Sequence, residues 1–273
     1  MRFDAIEKLG VGLGFRERFR ADVLLHRDDL DFLEITADHY LDAHDQKREE
    51  LEILRDHFTL VPHSLDLSLG SAEGIDDAYL ERLAALVERI DPPWYSDHIC
   101  FTRSGGVAIG HLAPVPYTRE ALDVFKRNIA RVRSVIDRPL VLENISYLVR
   151  LPTSEMSEAE FLTRLVEEND CGILLDVTNL YINSQNFDFC PRTFLDLVPI
   201  ERIVQLHFVG SRRHGKRLID AHLDKTEDAI WDLFREVADR CEIKGAVLER
   251  DGNFPPFSEI AEELRKAREI LNA

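Results

Sequence analysis

The chain has 273 residues, 45% of them hydrophobic and 31% charged, a balance that suits a folded protein with a substantial core. Its 51 acidic against 34 basic residues give a formal net charge of −17, which repels a phosphate backbone and argues against nucleic acid as a partner. No apolar run approaches the roughly 20 residues needed to span a bilayer. The N-terminal MRFDAIEKLG turns acidic at once, so the chain is expected to be cytoplasmic, with no membrane contact. Cys100, Cys171, Cys190 and Cys241 contain no CxxC pair and read as isolated thiols.

In chain order, short apolar and β-branched runs alternate with amphipathic stretches. GVGLG (10–14), DFLEI (31–35) and TLVPHSL (59–65) are strand candidates, followed by a helix over 76–90 and a strand WYSDHIC (94–100). A helix over 119–136, entered through Thr118 as its cap, leads to PLVLEN (139–144). The helix over 157–169 opens with Ser157 and Glu160 in capping-box spacing. CGILLDV (171–177), RIVQLHF (202–208) and GAVLER (245–250) complete the strands; helices over 229–241 and 257–272 complete the set. Near-continuous hydrophobicity over five to seven residues suits strands buried on both faces of a parallel sheet. Eight such strands alternating with helices, with no linker or composition step, predict an α/β fold in one domain spanning 1–273. At this length a closed (β/α)8 TIM barrel fits better than an open doubly wound sheet. The glycine pattern GVGLGF (10–15) lacks the ribose-binding acid of a nucleotide site.

The last residues of the predicted strands carry the chemistry. They are Glu34 in FLEIT, His63 in VPHS, His98 in SDHIC, Glu143–Asn144 in VLENIS, Asp176 in LLDVTN, His207 in QLHFVG and Glu249 in VLERDG. Taken singly, each has an ordinary explanation: a hydrogen-bonded core histidine, half of a buried ion pair, a loop cap. Together, seven strand ends would need seven such explanations, because burying these groups unpaired costs several kcal/mol each. In a barrel they converge on the C-terminal mouth, where active sites sit, and bound cations would neutralise them. Asp176 and Asn179 lie one helical turn apart. Asp220 and His222, on the long loop after the seventh strand, face the same way in extended chain. Imidazole with carboxylate suits zinc, iron or manganese, and the lack of cysteine disfavours a structural zinc site. Trp94 and Trp231 read as core, and His26, His44, His57, His111 and His214 as surface or supporting residues.

These residues lie in HSLDLSLGS (63–71), SDHICF (96–101), LAPVPYTREAL (112–122), LENISYL (142–148), LLDVTNLYINSQN (174–186), LHFVG (206–210), LIDAHLD (218–224) and LERDGNFP (248–255). On these stretches the chain resembles the multinuclear non-heme iron-dependent oxidative enzymes, which include the methanobactin-biosynthesis oxidase. The resemblance implies that His63, His98 and Glu143 hold one iron. Glu143 would bridge to a second, completed by Asp176, His207 and Glu249, with Asn179, Asp220 and His222 on a third. The layout is also similar to that of trinuclear zinc endonucleases, which carry a histidine where Asn179 stands, so the third site should bind more weakly. Mixed Fe(II)/Fe(III) valence and dioxygen as co-substrate are implied. So are a Cys-containing, ribosomally made precursor peptide as substrate and a separate partner protein that recognises its leader. Asp97, Arg250 and Asp251 would orient the ligands. The chain departs from the family at EITADHY (34–40), where Asp38 and His39 replace an Asn-containing stretch, which points to a different substrate subclass. Two other readings use the same residues: a zinc or manganese hydrolase or sugar isomerase on this barrel, and a non-catalytic metal-binding partner.

Overall fold

In the computed structural model, which describes residues 3–273, twelve strands are formed among the described residues. They are β1 (Gly10–Gly14), β2 (Phe32–Thr36), β3 (Leu60–His63), β4 (Tyr95–His98), β5 (Phe101–Ser104), β6 (Val107–Ala113), β7 (Leu140–Glu143), β8 (Gly172–Asp176), β9 (Ile203–Phe208), β10 (Gly210–His214), β11 (Arg217–Asp224) and β12 (Gly245–Leu248). Eight of them pair in parallel and close into a barrel in the order β1-β12-β9-β8-β7-β4-β3-β2. These are the eight strands expected from sequence, most of them trimmed by one to three residues. The barrel is therefore a TIM barrel with helices between its strands.

The alternation of side chains along each strand separates two cores. Outward-facing Leu33, Ile35, Leu142, Leu175, Phe208 and Leu248 join the helices in one large apolar cluster. Inside the barrel, Phe32, Val61, Trp94, Val141, Leu174 and Val247 form a separate plug near the N-terminal ends. Two residues beyond four of these, on the same inner face, stand Glu34, His63, Glu143 and Asp176, and Glu249 holds the same spacing from Val247. Register then sets them side by side: His98 lies opposite Glu143, and Asp176 opposite His207.

Helix ends follow the local chemistry. Thr118 accepts a bond from the Ala121 N–H, and Ser157 and Glu160 form the reciprocal capping box. Trp94 and Trp231 are buried. Helices over Asp45–His57, Val177–Phe187 and Pro191–Leu197 add to those expected.

One feature corrects the sequence reading. The segment read as a long loop after the seventh strand is the hairpin β10–β11, and Asp220 and His222 lie on β11 where its antiparallel register with β10 shifts; β5 and β6 form a second such hairpin. The hairpin strands are largely exposed or half-buried, so they lack the continuous apolar run of a barrel strand. The adjacent Gly105 and Gly106, both with positive φ, are the turn signal that was present. Both hairpins follow barrel strands and so rise from the C-terminal end. Among the described residues, no helix is long and apolar enough to cross a membrane.

Gly12 faces the plug, where an added Cβ would stand 2.7 Å from the Phe32 carbonyl oxygen and 2.8 Å from its ring. Gly12→Ala should therefore lower unfolding stability by about 1–3 kcal/mol through overpacking. A reduced urea midpoint at unchanged slope is the expected result, and a wild-type midpoint would show that the barrel interior yields there.

Candidate metal centre

The ends of β3, β4 and β7 place His63 Nε2 and His98 Nε2 3.2 Å apart, each 3.3 Å from Glu143 Oε2. The other Glu143 oxygen lies 3.5 Å from His207 Nδ1, which is 3.2 Å from Glu249 Oε2. Glu143, Asp176, His207 and Glu249 each offer a ligand atom within 4.8 Å of the others, and so do Asp176, Asp220 and His222. Glu143 is thus common to two groups and Asp176 to two. Asn179 donates its backbone N–H to Asp176 Oδ1 (2.8 Å) and its Nδ2 to the Asn144 carbonyl (3.1 Å), which leaves its Oδ1 without a hydrogen-bond partner. All nine residues suggested as metal ligands meet at one mouth. Most of them line a cavity of about 710 Å³, with Asp176 and His207 buried beneath its floor.

Whether these residues suit metal ions can be judged from their unmet bonding capacity. Glu143 Oε2, Asn179 Oδ1, His207 Nδ1, Asp220 Oδ1 and His222 Nε2 are buried without a hydrogen-bond partner. An unsatisfied buried group costs about 1–3 kcal/mol. Asp220 Oδ1 and His222 Nε2 are 2.7 Å apart, yet out of line for a hydrogen bond. Charge crowding appears in the titration behaviour as well. Burial raises Asp176 well above the usual carboxylate range, and Asp220 and Glu143 push it the same way. Burial would lower His207, but Glu34, Glu143 and Glu249 outweigh it and hold the ring well above the ordinary value. Burial would raise Glu143, but His98, His207 and His63 hold it at about 2. Burial brings His98 down to about 4, so a neutral imidazole faces an ionised carboxylate. Buried nitrogen and carboxylate ligand atoms that converge without hydrogen-bond partners fit a multinuclear group of iron, zinc or manganese.

Neighbouring side chains hold the donors in place. His63 Nδ1 meets Ser96 Oγ at 2.8 Å, so a proton on Nδ1 leaves Nε2 free to face the cluster. His207 Nε2 meets Glu34 Oε2 at 3.0 Å; that oxygen accepts from Gln205 Nε2 (2.5 Å), whose Oε1 accepts from Trp94 Nε1 (2.6 Å). Asn144 bonds both the N–H and the carbonyl of Asp176. Arg16, just past β1, donates to Glu249 at 3.0 Å and to Asp251 at 2.5 Å.

The three residues suggested as orienting groups fall in different places. Asp251 contacts the cluster, with His222 Nδ1 at 3.0 Å. Asp97 accepts from the Ser64 hydroxyl (2.7 Å) and the Leu67 N–H (3.3 Å), and so braces the loop after β3. Arg250 pairs with Glu263 (3.0 Å) and donates to the Leu223 carbonyl (2.8 Å), tying the last helix to the strand that carries His222. Asp38 bonds the Leu65 N–H and the Tyr79 hydroxyl, while His39 lines the mouth. Ser96, Gln205 and Arg16 were not singled out from sequence. Ser96 and Gln205 stand two residues before His98 and His207, so strand alternation could have found them.

A closed parallel barrel with a buried imidazole–carboxylate cluster at its C-terminal mouth defines a TIM-barrel protein equipped to hold metal ions. Across residues 10–272 the sequence matches the family described as "RiPP precursor modification enzyme MbnB/TglH/ChrH", and the chain belongs to it. RiPPs are ribosomally synthesised, post-translationally modified peptides, so the substrate class is a precursor peptide. A UPF0276 protein of Caulobacter vibrioides is 36% identical over 260 residues, covering 95% of this chain and 93% of that protein. Solved structures with the same barrel include endonuclease IV from Thermus thermophilus (18% identity, TM-score 0.59, 96% of this chain and 99% of that one). Another is D-psicose 3-epimerase from Clostridium cellulolyticum (13% identity, TM-score 0.57, 97% of each chain). At such identities the likeness shows the fold alone.

Adding Fe(II) or Zn(II) to chelator-treated protein should raise Tm, increasingly so with metal concentration. Ser96→Ala should require about 10–100-fold more metal for the same gain, because His63 loses its orienting partner. Thermal melts without any metal-dependent rise would contradict the metal centre.

Proposed function

We propose that this enzyme is a multinuclear non-heme iron oxidase that uses dioxygen to modify cysteine residues of its precursor peptide, in natural-product biosynthesis. The observation that carries this reading is the run of four overlapping donor groups, joined through Glu143, Asp176, His222 and Glu249 among the described residues, with six buried atoms of the suggested ligands unpaired. His63, His98 and Glu143 would hold one ion, and Glu143, Asp176, His207 and Glu249 a second. Asn179, Asp220 and His222 would hold a third, more weakly bound because an amide oxygen is a poorer donor than imidazole. Bound there, iron supplies affinity for a soft thiolate and one-electron redox chemistry with dioxygen, within reach of each other.

The chain's own residues prepare the site for that chemistry. His98 is neutral near pH 7 because burial lowers its pKa to about 4, so the ring keeps one nitrogen lone pair for a cation. Glu34 and Ser96 aim the rings of His207 and His63. Arg16 offsets the charge of Glu249 and Asp251, which keeps the two carboxylates together at the edge of the mouth. Leu65, Leu112 and Ile145 supply apolar surface at the mouth and limit water access to a bound cysteine. Holding the reacting groups together in this way can remove several kcal/mol of barrier. Asp97 and Arg250 act at one remove, by fixing the segments that carry His98 and His222.

A separate partner protein that recognises the leader belongs to the same reading. Val107 and Ile109, 66% and 43% exposed on the β5–β6 hairpin, offer apolar surface beside the mouth for it. Residues 1–273 are read as one catalytic domain working in the cytoplasm.

His98→Ala and Glu143→Ala should each lose iron and all turnover of a Cys-containing peptide while keeping the far-UV spectrum of the folded barrel. Wild-type iron content in either variant would overturn the ligand assignment. Asn179→Ala should lower the occupancy of one ion and spare the others, as metal analysis would record; loss of all metal together would contradict a separable third site. Zinc or manganese at full occupancy after aerobic purification, with no visible absorption, would replace the oxidase by a divalent-metal hydrolase or isomerase.

A further inference from the structure

Beside the mouth lies a second cavity, of about 560 Å³, walled by the chain after β6, the loop after β7 and the Pro191–Leu197 helix. Two of these segments also wall the mouth. Leu112 and Ile145 line the metal cavity, and Pro114 and Tyr147, two residues further along each, line this one. Two residues of extended chain span about 7 Å, so a peptide could reach from one cavity into the other.

The lining has a definite chemistry. Val115, Leu151, Met156, Phe189 and Phe194 are apolar walls. The Arg150 guanidinium sits 4.8 Å from the Phe187 ring centroid and 5.7 Å from that of Phe189. Glu158, at the start of the helix Glu158–Asn169, accepts the Tyr147 hydroxyl through Oε2 at 2.9 Å, and among the described residues Oε1 takes no hydrogen bond. Burial raises the Glu158 pKa to about 7, with Tyr147 and Arg150 pulling the other way, so Oε1 is an open acceptor above that pH.

We propose that this cavity binds an aromatic side chain that carries a hydrogen-bond donor, tyrosine or tryptophan, from the same precursor peptide whose reacting residue enters the mouth. Apolar walls favour a large ring, and a thioether and a guanidinium both make favourable contacts with aromatic rings. The open acceptor on Glu158 suits a phenol O–H or an indole N–H, and an aliphatic side chain would leave it unmet. A lysine or arginine would meet the charge of Arg150. At about 3.3 Å per residue, the aromatic residue falls two to four positions from the reacting one. The identity of the occupant rests on the precursor peptide as substrate, and the spacing test below rests also on cysteine as the reacting residue; the amide test depends on neither cysteine, iron nor dioxygen.

The test titrates the full-length protein with N-acetyl-tyrosinamide, N-acetyl-phenylalaninamide and N-acetyl-leucinamide, followed by ligand-observed NMR. Tyrosinamide should bind about 3–10-fold more tightly than phenylalaninamide, the worth of one net hydrogen bond, and leucinamide should be weakest. Glu158→Leu should remove the preference for tyrosine over phenylalanine, and Thr193→Trp, placed on the exposed rim, should block all three. Equal binding of the three amides, or indifference to Thr193→Trp in a variant that melts normally, would overturn the aromatic site. Synthetic peptides carrying one cysteine and one tyrosine supply the second arm. Spacings of two to four should bind the metal-loaded protein more tightly than a spacing of seven, and no dependence on spacing would overturn the substrate peptide as occupant. Failure of the iron reading would appear in metal content and oxygen consumption, with amide binding unchanged.

Discussion

Side chains alternate along a β-strand, and in a closed barrel this forces every second residue toward one axis. Glu34, His63, His98, Glu143, Asp176, His207 and Glu249 are delivered in this way to the same end, and all are buried. Several kcal/mol for each uncompensated buried charge is large beside the about 5–15 kcal/mol that keeps a domain folded. The cluster therefore exists only with compensation. Part is internal: Glu34 is set against His207 and Arg16 against Glu249 and Asp251. The rest is missing from the protein's own atoms, as the opposed shifts of Asp176 and Glu143 and the unpaired donors indicate. A shared cation would answer both demands at once and would make metal binding and barrel stability one linked equilibrium.

The remaining architecture serves to keep those donors still. Beneath them, Phe32, Trp94 and their apolar neighbours fill the barrel, and Trp94 also reaches up through Gln205 to Glu34 and His207. Around them, Asn144 locks the end of β7 to that of β8, and Ser96 orients His63. Above them, β11 supplies Asp220 and His222 from outside the barrel, with His222 in a left-handed backbone conformation (φ +50°) that few non-glycine residues adopt. An endonuclease and a sugar epimerase share the same frame. That frame by itself fixes no activity, which depends on the side chains mounted on it.

Some of this was legible in the residues themselves. Barrel strands buried on both faces must be apolar throughout, so the eight runs stand out, and a carboxylate or imidazole at the end of such a run stands out against them. Ser157 and Glu160 announce a helix start because the unpaired N–H groups there need acceptors. The alternation rule also explains two placements that neighbourhood in sequence obscured. Asp97 and Arg250 adjoin His98 and Glu249 on their strands, so they face the other way and brace the surroundings of the site.

The sequence by itself determined the barrel and the list of chemically loaded strand ends, since both are local consequences of pattern and period, and the resemblance of its stretches pointed to the family. Only the tertiary structure decided which donors share a centre, that Asp176 joins two groups as Glu143 does, and that two hairpins rise over the mouth. It also decided that a largely apolar cavity, bordered by Glu158, adjoins it. Those facts depend on strand register and on contacts between residues tens to hundreds of positions apart, such as Glu34 with His207 and Arg16 with Glu249. No local pattern encodes such distances; closing the barrel creates them.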